Sequence, residues 1–321
     1  MSSLKKKYDV IVVGELNVDL ILNKIDSFPE MGKEKIAQKM DLVLGSSSAI
    51  FASNLSSLKV KVGFIGKIGN DSFGKICIDS LQKKGVDTSL IVTDKILKTG
   101  ATIVLNYDNN RAMVTHPGAM ENLTTYDITE EVIKDAKHLH LSSPFLQPGI
   151  KNSLVDIFKK AKSYGLTTSL DTQWDPNEQW DLNLEELLPF VDVFLPNKEE
   201  LLLLTAEKSI EKALDKIEKY SNTVIVKMGI NGSLSMTNGK RKKVDPFLNN
   251  DVVDAIGAGD SFNAGFISKY IQGNSIIVCQ TFGNIIGAIN TTASGGTSAF
   301  DSIEKIKIVA KEKYGYEING L

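Results

Sequence analysis

The chain has 321 residues, 42% of them hydrophobic and 24% charged, ordinary proportions for a globular protein. That length suits one large α/β body carrying an excursion. A formal net charge of −2 gives no sign of a strongly basic groove, so neither nucleic acid nor an anionic membrane is indicated as a partner.

In chain order, Met1 to Lys7 leads straight into a strand with no signal-peptide pattern, and no apolar run reaches transmembrane length. A cytoplasmic protein is therefore expected. Tyr8 to Gly14 is a near-continuous apolar run, the pattern of a parallel strand covered on both faces. No Gly-x-Gly-x-x-Gly follows it, which counts against a dinucleotide enzyme. Asn17 and Asp19 follow instead, pointing the same way if extended. A carboxylate beside an amide can grip paired sugar hydroxyls, although a solvated pair at a strand end fits as well. The turn-rich 23–44 stretch and the hairpin of Thr99–Asn106 and Arg111–Thr115 around Asp108-Asn109-Asn110 have no crossover helices, and read together as a small β-sheet lid. The lid spans about 17–44 and 98–116. Gly45 to Ala52 opens a helix running to Leu58, and 62–74 reads as strand, loop and a helix capped by Asn70 or Asp71.

From Thr124 to Leu195 helices near 128–136 and 150–164 alternate with strands near 138–141, 167–171 and 192–195, as in a doubly wound sheet. His138 and His140 lack a third metal ligand and read as strand residues. Cys77 and Cys279 read as buried thiols. Asp171 stands at a carboxyl strand end, where open sheets place ligand groups, and 172–176 follows it as a border to the site. Asn197 and Glu200, at i and i+3 on a helix start, suit either a magnesium ion with its waters or a capping box. The strand 222–228 leads through Lys227 into Gly229-Ile230-Asn231-Gly232, and a hairpin turns at Asn238-Gly239.

The chain is organised around Asp251 to Phe266. Gly257-Ala258-Gly259 makes a tight turn into a helix beginning near Asp260 and running to about Ile271. Free amides at a helix start suit a phosphate, and Asp260 beside them can serve as base for an attacking hydroxyl. A plain N-cap is the alternative role for Asp260.

This stretch resembles the second signature of the ribokinase-like (PfkB) carbohydrate kinase family, with Ala255 replacing a usual Thr. Further similarities run in family order: Asn17/Asp19, Gly45 to Ala52, 63–74, Asn197/Glu200, Gly229/Gly232 and Asn284. The resemblance implies a single domain over 1–321, an α/β doubly wound, mostly parallel sheet flanked by helices, with the β-sheet lid. It implies a carbohydrate kinase using ATP and Mg²⁺, with the amides of Gly257, Ala258 and Gly259 as anion hole and Asp260 as catalytic base. It places Asn17, Asp19, Gly45 and Ser46 at a small sugar, and Asn197, Lys227, Gly229, Gly232 and Asn284 at the nucleotide. Asn197 and Glu200 fall at the metal. Relatives often hold a monovalent cation on backbone carbonyls, which leaves K⁺ open, and the lid implies a homodimer. Ser46 and Ile50 depart from the family's Gly and Asn, so the sugar stays open. A nucleoside kinase of the same fold is one alternative, and a catalytically silent sugar- or nucleotide-binding relative is another.

Overall fold

The computed structural model describes residues 6–107 and 110–319. In chain order the strands are β1 Tyr8–Val13, β2 Asn17–Asn23, β3 Lys39–Leu44, β4 Val62–Ile65, β5 Lys67–Gly69, β6 Val92–Asp94, β7 Gly100–Tyr107 and β8 Asn110–His116. They continue with β9 Ala136–Ser142, β10 Thr167–Asp171, β11 Val193–Phe194, β12 Thr223–Lys227, β13 Ser233–Thr237 and β14 Lys240–Val244.

Eight of them form one sheet in the order β14-β13-β12-β11-β10-β9-β1-β4. From β12 to β4 every pairing is parallel, and β13 and β14 add an antiparallel edge. Parallel strands need crossovers, and the intervening helices bury both faces. Strand β1 shows the consequence: Ile11 and Val13 join the core on one face, Val10 and Val12 the core on the other. The second face is covered by the helices Ser47–Ser57 and Ala258–Tyr270, through Phe51, Leu55, Ala264 and Phe266. The C-terminal ends of β1, β9, β10 and β12 therefore open toward the starts of those two helices.

The lid strands pair separately as β3-β2-β7-β8. The register puts Asp19 beside Thr102 and Thr102 beside Thr115 on one face. On the other face Met40, Leu42, Ile103 and Val114 stay exposed. The Asp108-Asn109 part of the expected turn lies outside the described residues.

Several boundaries differ from the sequence expectation. The 150–164 helix is broken into Pro148–Lys151 and Leu154–Ser163, and the strand expected at 192–195 keeps only two residues in its ladder. Strand β9 starts at Ala136, because the ladder to Tyr8 captures it from the preceding helix. The β5/β6 pair had no periodicity long enough to read. His138 and His140 are wholly buried strand residues hydrogen-bonded to Thr167 and Ser169, and both cysteines are buried. Asp71 is the cap at 71, accepting from the Gly74 amide. No helix among the described residues is long and apolar enough to cross a membrane.

Candidate active site

Strand β1 ends and β2 begins within four residues, so Glu15, Asn17 and Asp19 are delivered together to the carboxyl edge of the sheet. Asn17 donates to Asp19 Oδ1 at 3.2 Å and to Thr102 Oγ1 at 2.8 Å across the lid. Its own Oδ1 is buried without a partner among the described residues. Asp19 lies over Gly45: a Cβ there would meet Asp19 Oδ1 at 2.2 Å, so only glycine admits this approach. Burial pushes the Asp19 carboxyl up to about 6, with Asn17 and Arg111 pulling the other way.

Ser46 follows in a backbone conformation of φ 71° and ψ 123°, which a residue with a Cβ adopts only under strain. It is held by its hydroxyl, which donates to Glu15 O at 2.6 Å and accepts from the Ala49 amide at 3.1 Å. Sequence reading did not single out Glu15. Its buried carboxylate accepts from Ser47 Oγ (2.7 Å), Ser143 Oγ (3.0 Å) and the Ser48 amide (3.2 Å), with Ser48 Oγ on its other oxygen. Burial raises its pKa despite those donors. Ile50, where the resemblance has Asn, is 3% exposed and packs its methyls against Gly257 and Gly296. The loop at 45–50 thus touches the glycine turn directly.

That turn is built by Gly257, whose φ of 75° is the left-handed conformation glycine favours and which serves as the N-cap of Ala258–Tyr270. The helix begins two residues earlier than expected, and no side chain caps it. Asp260 is thus in the first turn without being a cap. Its Oδ1 accepts from Gln173 Nε2 at 2.9 Å, and among the described residues Oδ2 makes no hydrogen bond. Burial, then the nearby charge of Asp171, push Asp260 up to about 8 against the opposing pull of Lys227.

Lys227, at the end of β12, pairs with buried Asp171 at 2.9 Å. Its Nζ lies 3.7 Å from where a Cβ on Gly259 would stand, so the ammonium borders the turn. Burial opposes its charge, but Asp171 and Glu200 outweigh that and raise its pKa. Asn197 and Glu200 form a full capping box: Asn197 N to Glu200 Oε2 at 2.9 Å, Asn197 Nδ2 to Oε1 at 2.6 Å, and Glu200 N to Asn197 Oδ1 at 2.8 Å. Burial and Asp171 push Glu200 up to about 7, opposed by Lys227. The structural alternative is therefore real here, and each Glu200 oxygen still keeps lone-pair capacity.

Gly229, Gly232 and Asn284 gather farther along. A Cβ on Gly232 would meet Val244 O at 2.1 Å, and Asn284 Nδ2 donates to Val244 O at 3.3 Å and Asp245 O at 3.0 Å. The residues expected at the sugar thus converge, as do those at the turn, and this third group borders β14. Among the described residues no cluster of three or more His, Cys, Asp and Glu side chains is arranged to hold a metal by itself.

The sequence and the fold have counterparts among known proteins. The profile of pfkB family carbohydrate kinases matches residues 7–303. An uncharacterized sugar kinase of Archaeoglobus fulgidus is 30% identical over 236 residues, 73% of this chain and 92% of that protein. The 2-dehydro-3-deoxygluconokinase of Bacillus subtilis is 27% identical over 312 residues, 94% of each chain. Among solved structures, the apo form of a putative ribokinase II from E. coli superposes with a TM-score of 0.83 at 25% identity, covering 95% of this chain and 99% of that one. Its complex with ATP and Mg²⁺ gives 0.81 at 23% identity, covering 95% of this chain and 99% of that one. The chain belongs to the pfkB family of carbohydrate kinases.

Proposed function

We propose that this protein transfers the γ-phosphoryl group of ATP to a hydroxyl, most simply a hydroxymethyl, of a small carbohydrate. The observation that carries the reading is Asp260. It is a buried carboxyl in the first turn of a helix, beside the glycine turn and the Lys227 ammonium, and is not spent on capping. The amides of Gly257, Ala258 and Gly259 would receive the phosphoryl oxygens, where helix-start N–H groups stabilise negative charge. Asp260 would take the acceptor's proton as its oxygen bonds to phosphorus and the bond to ADP breaks.

Asp19 and Asn17 would bind acceptor hydroxyls, and the unpartnered Asn17 Oδ1 supports this because a buried acceptor atom calls for a donor. Gly45 and Ser46 would form the acceptor floor. Gly229, Gly232 and Asn284 would carry the nucleotide base and ribose, with Asn197 and Lys227 toward its phosphates. Magnesium would supply charge neutralisation on the phosphates, and Glu200, with Asn197 orienting it, has the lone pairs to hold that ion through its waters. We read 1–321 as one kinase domain with a lid formed by about 17–44 and 98–116, which would exclude water from the transfer. The apolar outer face of that lid suits a second copy of the chain as a homodimer partner.

The similarity to a 2-dehydro-3-deoxygluconokinase makes keto-deoxy acids the first acceptors to try. A panel of pentoses, hexoses, keto-deoxy acids and nucleosides with ATP and Mg²⁺, scored by ADP release, tests the reading. A carbohydrate is expected to stimulate ADP release well above the acceptor-free rate. Stimulation by nucleosides alone would reassign the acceptor, and no stimulation by any of them would remove the assignment.

A further inference from the structure

We propose that Gln173 is a positioning residue for phosphoryl transfer: its side-chain amide clamps Asp260 Oδ1 and leaves Oδ2 as the oxygen that takes the acceptor's proton. The inference rests on the reading of Asp260 as the base and adds a residue to it. The geometry begins at the end of β10. Asp171 closes that strand, and Gln173 stands two residues on with φ 56°, a left-handed conformation uncommon for a residue with a Cβ. This backbone turn aims the side chain back at the site.

Gln173 Nε2 lies 2.9 Å from Asp171 Oδ2 and 2.9 Å from Asp260 Oδ1. A carboxamide nitrogen carries two hydrogens, so it can serve one carboxylate with each. The flipped orientation would set a carbonyl oxygen against two carboxylates, so the chemistry of the neighbours fixes the amide. Asp171 is itself immobilised. Lys227 from β12 pairs with it at 2.9 Å, and Asn263, one turn beyond Asp260 on the same helix, donates to it. Gln173 is thus a strut between a fixed carboxylate and the proposed base.

Without the strut, the two buried carboxylates would lose the donor they share. The charged groups bearing on Asp260 come from four elements: Asp171 on β10, Lys227 on β12, Glu15 beyond β1 and Glu200 on the helix Lys198–Thr205. Of these only Lys227 favours the ionised form. Loss of the amide donor would therefore raise the Asp260 pKa and release the carboxyl to rotate.

The test is a double-mutant cycle of Gln173→Met and Asp260→Asn, using the acceptor turned over fastest in the panel above. Gln173→Met keeps an unbranched side chain of similar length and removes the amide. We expect kcat to fall about tenfold or more, the worth of one hydrogen bond to a charged group. KM for ATP and acceptor should stay within about twofold, and the acid limb of kcat/KM should move up by about one pH unit. In the Asp260→Asn background Gln173→Met should change kcat by less than about twofold, since the strut has lost its object. Unchanged kcat and an unmoved limb in Gln173→Met, or equal losses in both backgrounds, would overturn the proposal. Near wild-type activity in Asp260→Asn alone would instead sink the base assignment. If Gln173→Met does not fold, Gln173→Asn carries the same expectation, because Asn tolerates the left-handed backbone but is too short to span both carboxylates.

Discussion

The turn at Gly257–Asp260 and the loop at Gly45–Ile50 touch, yet they are built on opposite plans. The turn presents backbone: a left-handed glycine, two further small residues and a helix start, with a single carboxyl added. The loop presents side chains: a strained Ser46, serines 47 and 48 on the buried Glu15 carboxylate, and the apolar Ile50. A site made of amides handles phosphoryl groups with little regard for side-chain identity, so on the proposed reading the turn would set the reaction. A site made of side chains changes its ligand whenever one of them changes, so on the proposed reading the loop would set the acceptor. On the proposed reading, Ile50 in place of an amide side chain bears on the acceptor and leaves the glycine turn as it is.

Substitutions can break this division at either side. The largest effect is expected at Asp260. Asp260→Asn should still bind ATP and acceptor, while kcat falls by roughly 10²–10⁴, the usual contribution of a general base. Its stability gives an independent reading. A carboxyl whose folded pKa is raised contributes stability that is complete below its unfolded value near 3.8 and is lost as pH rises through about 8. Asn stays neutral, so at pH 9 the variant should melt no lower than wild type. A kcat within tenfold of wild type would return Asp260 to a structural role.

Next in size is Asp19→Ala. Two charge-assisted hydrogen bonds at about 1.5–3 kcal/mol each should be lost from the acceptor and none from ATP. Calorimetry should show acceptor affinity falling at least tenfold with ATP affinity unchanged, and equal losses would take Asp19 out of the acceptor site. Glu200→Gln is expected to act more mildly, raising the magnesium concentration for half-maximal rate several-fold, since a water-mediated contact loses charge but not shape. An unchanged magnesium titration would leave Glu200 as a capping-box member and nothing more.

The smallest effect concerns the strain at Ser46. Ser46→Gly loses the hydroxyl but relieves the backbone, whereas Ser46→Ala loses the hydroxyl and keeps the strain. Denaturant unfolding should give Gly a stability about 1 kcal/mol above Ala, read as a higher midpoint. Equal midpoints would mean that the loop bears no strain.

Much of this was legible in the chain. Strand β10 falls at 167–171 as the helix–strand alternation has it, and the lid strands lie inside the expected segments because turn residues and missing crossovers mark them. The glycine turn was legible because few residue types can make it. Glu15 was not legible as a site contact, and Gln173 was legible only as part of the 172–176 border, without its partner. Their partners arrive from elsewhere in the fold, Ser143 at 128 positions from Glu15 and Asp260 at 87 from Gln173. Asn54, which ties the helix Ser47–Ser57 to Ser261 at 2.9 Å, reaches across 207 positions. Local periodicity carries no trace of such approaches. The Asn197/Glu200 spacing was legible but ambiguous, because a helix cap and a water-bridged metal draw on the same lone pairs.

The most direct test of the central claim, that Asp260 is the base, is the pH dependence of kcat/KM, which reports ionisations in the free enzyme. The Asp260 carboxyl, held near 8 by burial and by Asp171, must lose its proton before it can accept another. The account predicts a rate rising about tenfold per pH unit below that value and levelling off above it. This limb should vanish in Asp260→Asn. A wild-type profile flat from about pH 5 to 9, or a limb that survives Asp260→Asn, would contradict it.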